Sequence, residues 1–196
     1  MAKKNTRNTR GRIVSAAWRL FYEQGYEDTT VEEIIELSHT SRGSFYHYFD
    51  GKDALLSTLS DLFDEKYESL QPQLTEGMTA MEQLLYLNRA LFAMIEDSVS
   101  RDLLARLLST QLVTSGERHL LNHDRIYYRL LRRIIAAGQA SGELTSRESA
   151  EELVKVYALC ERALMYDWCL CGGEYSLAVY SQRMLPMFMA DYRVQV

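Results

Sequence analysis

Apolar residues recur at the three- and four-residue spacing of a helix face along almost the whole chain, and only 2 prolines and 10 glycines interrupt them. An all-β chain of 196 residues would need turn residues every ~8–12 positions, which this sequence lacks. The pattern therefore predicts an all-α fold. With 47% hydrophobic and 25% charged residues, the chain has enough apolar surface to build a core and is not a disordered or fibrous sequence.

Helix ends are marked by caps and glycines. Ile13, Ala16, Ala17, Leu20 and Phe21 form one helical stripe, and Gly25 stops it. Thr30 followed by Glu33 has the capping-box spacing, opening a second, short helix with Val31, Ile34 and Ile35 on its apolar face. Ser41 caps a third helix, 41–49, whose Phe45 and Phe49 are four apart and face the core. Asp50-Gly51 closes the unit. Three helices with a short middle pair joined by a tight turn have the layout of a helix-turn-helix DNA reader. Apart from the two phenylalanines, the third helix offers Ser41, Arg42, Ser44, Tyr46, His47 and Tyr48, all hydrogen-bond donors, and not one acid. A helix lying on phosphates and base edges needs that composition, because a carboxylate there repels the DNA backbone.

The net charge of −5 seems to argue against a nucleic-acid partner, but it is unevenly distributed. Residues 1–22 carry Lys3, Lys4, Arg7, Arg10, Arg12 and Arg19 with no acid, a segment of +6 on a remainder of −11. A basic arm on an acidic body suits a protein that meets an anionic polymer at one end only. Arg7, Arg10 and Arg12 either reach an adjacent groove or supply diffuse attraction.

The stretch from Ile13 to Ile35, followed by Ser41 to Leu55, resembles the N-terminal domain of TetR-family transcriptional regulators. Ala16-Ala17, Leu20-Phe21, Gly25-Tyr26, Thr29-Thr30, Gly43, Tyr46, Phe49, Lys52 and Leu55 stand at the family's spacing. The resemblance implies Arg42 and Gly43 at base edges and Ser44, Tyr46, Tyr48 and Lys52 on phosphates. An arginine forks onto guanine, and a glycine lets the helix backbone approach the groove. Thr30 caps its helix and presents a hydroxyl to a phosphate at the positive end of the helix dipole. Ser41 and His47 complete the DNA-facing set. The family usually has Ala-Gly-Val in the turn, where this chain has Ser38-His39-Thr40. A histidine holding the glycine's conformation costs about 1 kcal/mol, and the turn is expected to survive with His39 exposed.

The sequence divides into a helix-turn-helix DNA-binding domain with its arm (1–52) and a helical ligand-binding and dimerisation domain (53–196), the latter implied by the resemblance. Leu55, Leu59, Leu62, Phe63 and Leu70 follow the period of one linking helix from Asp53. Asn88 lies on the stripe of the next, with Phe92, as a buried hydrogen-bonder or a group that orients a ligand. Leu120, His123, Tyr127, Leu130, Leu131 and Ile134 share another face, placing His123 in the core or in a pocket. Tyr157 and Glu161 follow on a later helix, Glu161 pairing with a basic group across a dimer or facing a cationic ligand. Asn88, Phe92, His123, Tyr127, Tyr157 and Glu161 are thus the candidate ligand site. Ala163, Leu164 and Trp168, with Tyr180, Met184 and Phe188 of the last helix, resemble the family's dimerisation pair and predict a four-helix interface. Pro186 should kink or loosen that last helix.

No nucleophile triad, paired carboxylates or phosphate loop can be placed, so an enzyme is not expected. His119 and His123 are four apart, yet Leu120 stands where a zinc protease needs glutamate, and no metal or cofactor is expected. Cys160, Cys169 and Cys171 have no zinc-ribbon spacing. The longest uncharged stretch, 107–116, falls short of the ~18–20 residues of a membrane span, and no signal-peptide core follows Lys3-Lys4, pointing to the cytoplasm. The function expected is a DNA-binding regulator, a homodimeric repressor released from a near-palindromic operator by a small, mainly apolar effector. The alternative is a helical small-molecule-binding or protein-interaction module with a degenerate DNA reader.

Overall fold

The computed structural model describes residues 2–75, 77–113 and 118–194, with side chains from residue 9 onward. The side chains of Lys3, Lys4 and Arg7 in the expected arm lie outside that set, and the backbone from Ala2 already belongs to the first helix, α1 (Ala2–Glu23). Its inner face buries Ile13, Ala16, Ala17 and Phe21. The helix stops ahead of Gly25, whose φ of 90° is open to glycine at little cost.

Helix α2 (Val31–Leu37) begins with the capping box expected of Thr30 and Glu33. Ser41 caps α3 (Arg42–Tyr48) by accepting from the Ser44 amide. Ile34, Phe45 and Phe49 close over the α1 stripe. His39 is exposed and takes φ 50°, so the glycine-like turn geometry is kept. Arg12 ties that turn to α1: its Nε donates to the Ser38 carbonyl over 3.0 Å, and its Nη2 donates to the Ser38 and His39 carbonyls.

The single linking helix expected from Asp53 is instead two, α4 (Lys52–Leu56) and α5 (Leu59–Leu70). Ser57 and Thr58 turn their hydroxyls onto the carbonyls of Ala54 (2.7 Å) and Leu55 (2.6 Å), and Thr58 also accepts from Trp18 Nε1 of α1 (2.9 Å). Such side-chain bonds compete with the helix ladder and break it there.

Five more α-helices follow among the described residues. α6 (Ala80–Ser98) starts in a second capping box, Thr79 with Glu82, and α7 (Arg101–Val113) forms where the spacing argument assigns no element. α8 (Ile126–Ala140) is followed by α9 (Ala150–Leu170), capped by Ser149. α10 (Leu177–Phe188) is capped by Ser176 and by Glu96 of α6, whose carboxylate accepts from the Leu177 and Ala178 amides. Pro186 sits in the last turn of α10, and the helix ends two residues later. α6 packs against α8 and α10, α9 against α7, α8 and α10, and α5 against α6 and α8. Among the described residues, no helix is long and apolar enough to cross a membrane.

Candidate DNA interface and buried polar cavity

Because Phe45 and Phe49 point inward, α3 turns Arg42, Gly43, Tyr46 and His47 to solvent, with Ser41 exposed at its start and Ser44 and Tyr48 half-buried beside them. The Arg42 guanidinium rests 5.7 Å from the Tyr46 ring centroid and 3.5 Å from Glu32 of α2, an exposed ion pair that a phosphate or base can displace. A Cβ built on Gly43 meets nothing nearer than Ser41 Oγ at 4.0 Å, and its φ is not positive. Nothing in the fold therefore requires glycine at a helix position where it costs about 1 kcal/mol relative to alanine. A bare backbone facing outward is the geometry for close approach of another backbone.

Besides Ser41, which caps α3, two residues of the expected set have local work. The Thr30 hydroxyl is held in the α2 cap, 2.8 Å from Glu33 Oε2. Lys52, expected on a phosphate, donates through Nζ to the carbonyls of Tyr26 (2.6 Å), Glu27 (3.2 Å) and Thr29 (2.8 Å) and lies 4.3 Å from the Tyr26 ring centroid. All three ammonium protons are spent within the fold, so Lys52 clasps the α1–α2 turn. Its partners lie more than twenty residues upstream, beyond the reach of a spacing argument.

In the body of the molecule, four helices meet at one carboxylate. Glu161 (α9) accepts from Tyr127 (α8) at 2.5 Å and from Asn88 Nδ2 (α6) at 2.7 Å, and Asn88 Oδ1 accepts from Ser181 (α10) at 2.6 Å. Asn88, Glu161 and Ser181 are all buried. Burial pushes the Glu161 carboxyl above its usual range, opposed by the Tyr127 and Asn88 hydrogen bonds and the Arg162 charge. Among the described residues no basic group forms an ion pair with it, and it sits inside the protomer, so the expected pairing across a dimer is corrected. Tyr157 instead donates to the Leu84 carbonyl over 2.9 Å.

Next to Glu161 lies a cavity of about 30 Å³, lined by Phe63, Tyr67, Phe92, Tyr127, Arg125 and Met165 among others. Of the candidate ligand residues it collects Phe92, Tyr127 and Glu161, while Asn88 and Tyr157 support the wall from behind. His123 is not there. A 3-10 turn (His119–Leu121) and a loop precede α8, and His123 in that loop stacks 4.5 Å from the Tyr128 ring, its Nδ1 2.8 Å from Glu151. His119 and His123 therefore share no helix face. The chain missed by spacing is Tyr67: its hydroxyl is the one described buried side-chain polar atom without a hydrogen-bond partner.

The expected dimer residues divide in two. Leu164 and Trp168 are buried in the protomer, Trp168 Nε1 donating to the Tyr175 carbonyl over 2.8 Å, and neither can meet a partner. Ala163 faces out, in line with Leu159, Tyr166 and Leu170, and Phe188 is exposed with Val179 and Met187 on α10 beside half-buried Tyr180 and Met184. Both stripes of α9 are apolar, and periodicity alone does not say which one faces the core.

The sequence profile described as bacterial regulatory proteins of the tetR family matches residues 13–59. The transcriptional regulator HbdR of Aromatoleum sp. (strain CIB) is 30% identical over 192 residues, covering 93% of this chain and 80% of that protein. FadR of Thermus thermophilus, a TetR-family repressor solved in complex with lauroyl-CoA, is 26% identical with a TM-score of 0.74 over 95% of this chain and 96% of its own. A regulator from Pectobacterium atrosepticum shares the fold at a TM-score of 0.74 with 16% identity, over 100% of this chain and 99% of its own. With the family profile on residues 13–59 and HbdR 30% identical across 93% of this chain, the chain belongs to the TetR family of helix-turn-helix transcriptional regulators.

Proposed function

We propose that the protein is a homodimeric repressor that binds a near-palindromic operator through two copies of α3 and leaves it when a small, mainly apolar effector binds. The outward face of α3 carries this reading: Ser41, Arg42, Gly43, Tyr46 and His47 stand together in solvent with no acid on the helix. On this reading residues 1–52 contact DNA, with Arg42 on a base edge and Tyr46 on a phosphate, and 53–196 hold the effector and the dimer face. The outward stripe Leu159, Ala163, Tyr166 and Leu170 of α9, together with exposed Val179, Met187 and Phe188 on α10, favours a four-helix interface between two copies. Pairing there would set the readers about one DNA turn of ~34 Å apart. The lauroyl-CoA bound by the Thermus thermophilus repressor supports an apolar-chain effector for this chain also. Such a protein acts where the chromosome is, in the cytoplasm.

Fluorescence anisotropy with DNA from upstream of the protein's own gene tests the reading. Arg42→Ala combined with Tyr46→Ala should lower affinity at least about tenfold, since one bidentate base contact is worth ~1–3 kcal/mol, and wild-type binding should weaken steeply with salt. Weak binding that ignores sequence and is unchanged in the double variant would favour a ligand-binding module with a degenerate reader.

A further inference from the structure

The last carbonyls of a helix have no amide partner of their own, and a cation from elsewhere in the chain can satisfy them. α2 ends in this way. Its cap residue Ser38 is buried, and the chain has only His39 and Thr40 in which to turn before Ser41 caps α3. The amides of the turn bond backwards, Ser38 to Ile34 at 2.9 Å, His39 to Glu36 at 3.0 Å and Thr40 to Ile35 at 3.1 Å. The Ser38 and His39 carbonyls instead accept from the Arg12 guanidinium of α1, through Nε at 3.0 Å to Ser38 and through Nη2 to both. Those carbonyls belong to the two peptide planes that flank His39, which is the one non-glycine residue at positive φ among the described residues. A Cβ disfavours that conformation, so the turn needs a hold from outside, and the rigid guanidinium fork suits two neighbouring acceptors. Of the other basic side chains described on α1, Arg10 pairs with Asp61 at 3.2 Å and Arg19 with Glu23 at 2.8 Å, so each is committed to a carboxylate.

We propose that Arg12 is a positioning residue for DNA recognition: it sets the angle of the reader helix by locking the peptide planes on both sides of His39, and takes no part in the DNA contact itself. Ser41, Arg42 and Tyr46 follow the locked turn directly, so a rotation at His39 swings the whole reading face. Ile34, Phe45 and Phe49 hold the inner side of the unit, but by non-directional apolar contacts. Once the turn visits other conformations, only the fraction of molecules holding the reader correctly can bind, and the apparent affinity falls by that fraction. A charge that the sequence suggests for the DNA groove thus works inside the domain. The inference rests on reading α3 as the element that meets the operator.

Anisotropy with duplex DNA from upstream of the protein's own gene tests this on full-length variants, with thermal melting as the control for folding. Arg12→Ala and Arg12→Lys are both expected to weaken binding at least about tenfold with the salt dependence nearly unchanged, since lysine keeps the charge but not the fork. Adding His39→Gly to Arg12→Ala, which lets the turn hold itself, is expected to recover most of the loss. Should Arg12→Ala unfold at the assay temperature, the same comparison is made on Arg12→Lys with and without His39→Gly. Arg12→Lys binding as tightly as wild type, a salt slope lowered by about one per protomer in Arg12→Ala, or no recovery with His39→Gly would make Arg12 a phosphate contact and overturn the inference. Wild-type protein that binds this DNA without sequence preference would count against the regulator reading instead. The clamp is then judged without DNA, by amide exchange over residues 38–45, which should quicken at least about tenfold in Arg12→Ala; unchanged exchange removes the clamp as well.

Discussion

His39 shows what one residue costs and what holds it. Its φ of 50° belongs to the left-handed region, where a Cβ costs about 1–2 kcal/mol, and the turn persists because Arg12 from α1 binds two of its carbonyls and the Thr40 amide closes on Ile35. Replacing His39 by glycine is expected to raise the unfolding free energy by up to about 1 kcal/mol in urea denaturation, part of the gain being returned through the freer unfolded chain. A loss of stability would mean that the imidazole itself supports the turn. Residues acting on near neighbours were legible in the sequence: Thr30 and Ser41 cap helices three positions away. Lys52 and Tyr67 were not, because their roles depend on groups brought from distant parts of the chain.

Among the elements, the capping boxes of α2 and α6 carry a pH dependence. The Thr30 and Thr79 amides and hydroxyls hold the Glu33 and Glu82 carboxyls below their ordinary 4.5, and Arg132 with His123 does the same for Glu151. Carboxyls with folded values below the unfolded one add stability above about pH 4.5 and lose it as pH falls through the folded value. Glu161 acts in the opposite direction: its raised value favours the folded state at low pH, an advantage lost as pH rises. Three lowered groups against one raised predict a melting temperature that drops between about pH 5 and 3, and a shallower drop in Glu82→Gln. At the α6–α8 crossing, a Cβ on Gly138 would come within 2.6 Å of the Ala80 Cβ and 3.0 Å of Leu144. Gly138→Ala should therefore destabilise, overpacking of about 1–3 kcal/mol outweighing about 1 kcal/mol of helix propensity, and calorimetry would register a fall of a few degrees. The caps could be read from local spacing. The break at Ser57-Thr58 and the late start of α8 could not, since Trp18 fixes one and the other sits where His123 turns to Glu151.

At the scale of the molecule, α7 links the reader to the body. It packs on α4 and α9, and its Arg106 lies 4.9 Å from the Tyr26 ring centroid and pairs with Glu27 in the α1–α2 turn, while Tyr26 donates to Asp53 of α4. Arg106 touches neither the α3 face nor the cavity. Arg106→Ala is accordingly expected to leave operator and effector affinities nearly unchanged while reducing the coupling between them by about 0.5–2 kcal/mol, read as a smaller effector-induced loss of operator binding. Unchanged coupling would place the transmission along another path. Which stripe of α9 faces outward is also decided at this scale, because a helix with two apolar faces commits one to its own core only when its neighbours pack.

The sequence by itself determined the helical class, the helix-turn-helix layout, the caps and the acid-free reader, since each follows from side chains within one helical turn or from a period along one helix. Tertiary structure alone decided that Lys52 is spent on the fold, that His123 leaves the core, and that Trp168 turns inward. It also placed Glu161 and Tyr67 at one cavity. Those outcomes depend on contacts between residues dozens of positions apart, and the pattern along a single helix carries no information about what will pack against it.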